Sequence, residues 1–250
     1  MIPNWTAYGM DSMKKNFRGF TLIELSIVLV IIGLIVAGIV SAQKLIAEAQ
    51  LQRIVSQANQ YITAINTFKL EYDAFPGDIT NAYDYWSASC GSSADECNGN
   101  GNNRIDYADD WPDGSEEPRG WQHLQLANII PGSLTGGSCN TGRAHGIGVN
   151  TPAGPRGGGW KYRSSGMFGM NPNSFIALSL HAPDSTCGDM DDPIITIAEM
   201  FAIDTKYDDG IYNTGKIFGY SQAAATCRAT YDPSTTGVAC IPTFFVNKKQ

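Results

Sequence analysis

Two stretches of this chain space oxygen-bearing side chains in a way that can hold a hard cation. Asn98, Asn100, Asn102, Asp106 and Asp109 fall at positions 1, 3, 5, 9 and 12 of a loop counted from Asn98, with apolar Ile105 at position 8. This is the alternation of an EF-hand-like calcium loop. Its ligands are largely neutral amides, and Asn103 stands where such a loop normally carries glycine. Calcium would therefore be held weakly, and the competing reading is an asparagine-rich polar turn. Asp204, Asp208 and Asp209 set three carboxylates around a helix end just before Gly210, a second candidate for calcium. Here the competing reading is a helix stop followed by an Asp-Gly turn.

No catalytic constellation accompanies these loops. The run Gly210-Ile-Tyr-Asn-Thr-Gly215-Lys216 repeats most of a phosphate-binding loop, but Ile217 stands where the magnesium-holding Ser or Thr belongs, and the strand–loop–helix setting is missing. His123, His145 and His181 lie far apart and form no HExxH, and no GxSxG is present. His123, two residues from Trp121, reads as a packed or surface histidine. The sequence proposes no enzyme. Six cysteines, Cys90, Cys97, Cys139, Cys187, Cys227 and Cys240, contain no CxxC pair of the kind zinc sites use. An oxidised, exported domain explains them better. Of the fifteen pairings that six cysteines allow, the expectation is that sequence neighbours join: 90 with 97, 139 with 187, and 227 with 240.

Export agrees with the N-terminal segment. Residues 20–42, FTLIELSIVLVIIGLIVAGIVSA, hold one charge, Glu24, and no proline. About 20 apolar residues cross a bilayer as a helix, and Lys14, Lys15 and Arg18 just before them place that end in the cytoplasm. A carboxylate inside hydrocarbon is costly and normally marks function. Neither Thr21, Ile27 nor Val28 offers it a positive charge from its own helix. The formal net charge is −7; residues 1–19 carry +2 of it, leaving −9 beyond Gly19. So acidic a body repels phosphate backbones, which disfavours nucleic acid as a partner.

Helical spacing continues past the apolar run through Leu45, Ala49, Ile54, Ala58, Ile62, Ile65 and Phe68, until Pro76-Gly77 punctuates it. One helix over 20–72 is expected, apolar in its first half and amphipathic in its second. The run Lys14-Lys15-Asn16-Phe17-Arg18-Gly19-Phe20-Thr21-Leu22-Ile23-Glu24 resembles the class III signal of type IV pilins and type II secretion pseudopilins. That resemblance, over about the first fifth of the chain, implies cleavage after Gly19 by a prepilin peptidase, N-methylation of Phe20, and an assembly role for Glu24. It further implies as partners other pilin or pseudopilin subunits, an inner-membrane assembly platform and its ATPase. Gly33 falls where the family often has a helix-loosening glycine, whereas Ser41 stands where many type IV pilins carry proline. Translation from Met13 would give MKKNFRG, a more compact leader than nineteen residues.

The expected organisation is a leader over 1–19, a transmembrane and assembly helix over 20–72, and an exported α+β head over 73–250 with a small antiparallel sheet and a long irregular insert. Within the head, a helix is expected over 116–130, a flexible Gly-rich connection over 154–159, and strands over 160–163, 175–181, 216–220 and 241–246. Another helix is expected over 194–206. The protein implied is a structural filament subunit, held first as a single-pass inner-membrane precursor and then in a periplasmic or cell-surface filament. The alternative is a membrane-anchored, calcium-dependent binding module facing outward.

Overall fold

The computed structural model describes residues 19–106, 116–137, 146–164, 175–182, 192–212, 214–221, 227, 231 and 236–248. By its contacts the chain divides into two compact units, Met1–Ala47 and Glu48–Gln250. Helix α1 spans Leu22–Tyr72 and ends at Asp73, whose φ of 53° is left-handed. In the first unit its apolar residues are exposed, Leu22 at 88% and Leu34 at 70%. Among the described residues α1 is the one helix long and apolar enough to cross a membrane. In the second unit Ile54, Val55, Ala58, Tyr61, Ala64, Ile65 and Phe68 are buried, a stripe at spacings of three and four that forms one wall of the core.

The rest of the core comes from an antiparallel sheet of β1 Gly159–Arg163, β2 Phe175–His181, β3 Ile195–Thr196, β4 Ile217–Tyr220 and β5 Val238–Lys248. The spatial order is β1-β2-β5, with β3 and β4 pairing with β5 as well. Alternate residues face opposite ways. Trp160, Tyr162, Ile176, Leu178, Leu180, Ile217 and Phe244 join the main core with α1. Phe175, Ala177, Phe218, Tyr220, Ile241 and Phe245 form a second buried cluster. Tyr61 of α1 meets Trp121 edge-on at 5.0 Å and Trp160 at 5.8 Å, which ties the helix to both the sheet and α4.

Between helix and sheet lie α2 Ala82–Trp86, a 3-10 turn Ser87–Ser89, α3 Ala94–Cys97 and α4 Glu116–Leu126; α5 is Ile197–Tyr207. Three expectations are corrected. First, α4 stops at Leu126 and not at 130, because Asn128 turns left-handed with φ 58°. Asn128 N–H then bonds Gln125 O and Ile129 N–H bonds Leu124 O, the paired bonds of a Schellman stop. Second, residues 154–159 form an anchored turn. Arg156, itself at φ 58°, makes a two-pronged ion pair with Glu199 at 2.6 and 3.0 Å and donates to Ile194 O. Third, the segment expected as helix from 194 begins as strand β3, and α5 starts only at the capping box of Thr196 and Glu199.

Disulfides join Cys90 to Cys97 and Cys227 to Cys240. Cys139 and Cys187, expected as the third pair, lie outside the described residues.

Candidate functional site

The N-terminus of α1 is closed by Thr21 and Glu24. Thr21 is the cap: its Oγ accepts the Glu24 N–H at 3.3 Å, while Glu24 Oε2 accepts both the Thr21 N–H and its hydroxyl at 2.8 Å. This is a capping box, and it places a carboxylate on the unpaired amides at the positive end of the helix. The pattern Thr21-x-x-Glu24 was legible in the sequence, although a search for a positive partner overlooks it. Glu24 therefore has a neutral partner within its own helix. Around it Leu22, Ile23, Leu25 and Ile27 are exposed at 54% or more, so among the described residues nothing covers the apolar surface in which the box sits.

Residues 14–40 match the family model described as the prokaryotic N-terminal methylation motif. Three type IV major fimbrial proteins FimA from Dichelobacter nodosus are each 47% identical to this chain over 60 residues. The match covers 24% of this chain and 38% of each relative. At its N-terminus this chain is similar to type IV pilins. The pilin-like match spans well under half the length of those relatives, and no solved structure matches the chain.

The head handles the two calcium candidates differently. In the 98–106 loop, Asn98 Oδ1 is taken by the Tyr83 N–H at 2.9 Å. Asn100 and Asn102 turn their amide nitrogens to Asp106 Oδ2 at 3.0 and 2.6 Å. Two buried carboxylates organise the loop from below. Asp78 accepts the N–H groups of Asn102 and Asn103, and Glu116 accepts those of Asn100 and Asp106. Burial pushes Asp78 above the usual carboxylate range and Glu116 up to about 7. The loop thus brings together Asn100, Asn102 and Asp106, turns Asn98 aside, and leaves Asp109 outside the described residues. Asp78 and Glu116 were invisible to spacing arguments because they come from outside the loop.

The acidic turn is more convergent. One carboxylate oxygen from each of Asp204, Asp208 and Asp209 lies within 4.8 Å of the others. Asp204 accepts the Tyr231 hydroxyl at 2.5 Å and the Gly210 N–H. Asp208 accepts the amides of Lys216 and Ile217. Burial raises the Asp204 pKa, and the neighbouring aspartates add to the shift. The segment 210–216 runs from helix to strand, the reverse of a phosphate-binding loop.

His123 also has an ion-like setting, lying close to both Cys90 and Cys97. Its tautomer removes it as a ligand. Nδ1 accepts the Gly77 N–H at 3.0 Å, so the proton sits on Nε2 and faces Cys97 O at 3.1 Å. Burial holds its pKa down at about 3. Stacked 5.1 Å from Trp86, His123 is a neutral core residue.

Proposed function

We propose that this pilin-like chain is a structural subunit of a type IV pilus or of the related secretion pseudopilus, assembled through α1. A prepilin peptidase would cut between Gly19 and Phe20, and Phe20 would be methylated. Before assembly the subunit would be held in the inner membrane with residues 1–19 cytoplasmic. The observation that carries this reading is the exposed apolar half of α1 with Glu24 as its single charge within residues 20–42. Such a surface needs lipid or like helices around it. Cleavage would create an amine at Phe20. Paired with Glu24 of an adjacent subunit in a low-dielectric core, that amine would fix axial register.

Intact-mass analysis of protein purified from its native host tests the processing step. The expected species starts at Phe20 with one added methyl group. A cut near Ala47 or Ala49, as a secretory signal peptidase would make, overturns the reading.

Calcium at the acidic turn is a second part of the proposal, favoured by the convergence of its three carboxylates. Their spread suits one cation with ligands at about 2.3–2.6 Å.

A further inference from the structure

We propose that a cleft on one flank of α1, lined by Arg53, receives Glu48 of a neighbouring copy of this chain, an inference that rests on the filament reading. The cleft has a volume of about 320 Å³ and lies between Arg53, Ser56 and Gln60 of α1 and the 153–155 turn. Gln57 braces its walls. The Nε2 of that residue donates to Ala153 O at 3.1 Å, and its Oε1 accepts the Trp160 indole N–H at 3.0 Å. Arg53 is the one charged residue in the lining, so an entering carboxylate meets a cation and the neutral donors of Ser56 and Gln60.

The charges of α1 leave Arg53 without a mate in its own helix. Residues 20–68 hold two cations, Lys44 and Arg53, and two anions, Glu24 and Glu48. Glu48 and Arg53 are both exposed, and neither makes an ion pair among the described residues. Pairs along one helix need a spacing of three or four residues. Five residues set Glu48 and Arg53 about 140° apart around the axis, on opposite flanks of the buried stripe. One helix cannot join them; two helices side by side can. Lys44 precedes Glu48 by four residues, the weaker order for a helical pair, and among the described residues no ion pair joins these two.

The step between copies agrees with that of the proposed Phe20 contact. Bringing the new amine of one copy level with Glu24 of the next takes four residues along the axis, about 6 Å. Bringing Glu48 of the first copy level with Arg53 of the second takes five residues in the same direction, about 7.5 Å. One displacement therefore makes both pairs, and the long arginine and glutamate side chains absorb the difference. A single exposed pair is weak, but a filament repeats it at every subunit contact.

Charge reversal and cross-linking, in cells that hold the assembly machinery, test this. Glu48→Arg and Arg53→Glu should each be depleted from filaments about fivefold relative to wild type. The melting temperature of each full chain in detergent micelles should be unchanged. Glu48→Arg combined with Arg53→Glu rebuilds the pair with its signs exchanged, and should return filaments to within about twofold of wild type. Copies carrying Glu48→Cys, mixed with tagged copies carrying Arg53→Cys, should give a tagged–untagged dimer when intact filaments meet a short bismaleimide. Neither cysteine variant alone should dimerise. A double reversal as depleted as the single ones, or filaments without the mixed dimer, overturns the proposal and leaves the filament reading standing. Wild-type chain that forms no filament overturns that reading, and this pairing with it.

Discussion

Glu24 accepts two hydrogen bonds from Thr21, so the charge is organised before any neighbour arrives. The partition between capping and assembly can be separated by substitution. Alanine is a better helix former than glutamate, so Glu24→Ala should still insert and be cleaved. Losing the box leaves the first-turn amides of the isolated helix uncapped. In filaments the mutant should be depleted severalfold relative to wild type, measured by quantitative blotting of sheared filaments. Thr21→Val removes the hydroxyl but keeps the carboxylate, and should enter filaments near wild-type levels. If Glu24→Ala assembles as well as wild type, pairing across subunits is wrong; if no filament forms even with Glu24 intact and the assembly machinery present, an anchored binding module explains the chain better.

At the scale of elements, the sequence was most legible where one signal dominated. The apolar run, the amphipathic stripe and the stop near Pro76 located α1. Alternation located β2 with the bounds it has. The misses have particular causes. Asn128 ended α4 through a left-handed turn that glycine or proline would have announced. α2 and α3 are too short to show a period. The expected strand 241–246 already held Pro242, opposite Gly219 in the sheet, but the strand runs on at both ends, over Val238–Lys248. The Arg156–Glu199 clamp joins residues 43 apart, which no local pattern encodes. At the candidate site, Thr21-x-x-Glu24 could have been read directly, whereas Asp78 and Glu116 reach the 98–106 loop only through tertiary contact. Each described disulfide closes a short loop, worth about 2–3 kcal/mol in the chain-entropy model. Cys90→Ser with Cys97→Ser should cost about that much in urea unfolding. Thiol labelling of denatured, unreduced protein should find no free cysteine, and two or more labelled residues would count against an oxidised head.

For the whole molecule, buried carboxylates set the pH response. Glu116 titrates at about 7 in the fold against 4.5 as its ordinary value. The neutral form is favoured by folding, so its contribution is complete below about 4.5 and is lost as pH rises through 7. Glu199 works in the opposite direction. Hydrogen bonding to Arg156 lowers its pKa, so its contribution is present above 4.5 and is lost as pH falls further. Stability should therefore peak near pH 5. The melting temperature should fall by about 5–10 °C between pH 5 and pH 8, and differential scanning calorimetry showing a rise over that interval would refute the assignment. Calcium is tested on the same instrument. Millimolar calcium, but not magnesium, should raise the melting temperature, and Asp209→Asn should abolish the gain. No calcium-dependent shift would leave 204–210 as a polar turn.

The position of β5 has a consequence for how the head comes into being. Strands β2, β3 and β4 all precede β5 in the chain, and all three pair with it. None of those ladders can close until residues 238–248 have been made and, on the proposed topology, have crossed the membrane. On the proposed topology, with residues 1–19 kept in the cytoplasm, α1 would already be in the bilayer while the sheet still lacked its middle. The edge of β2 that β5 pairs with stays open through that interval. An exported intermediate would thus be a tethered, half-built sheet, and its most vulnerable moment would be the wait for its final strand.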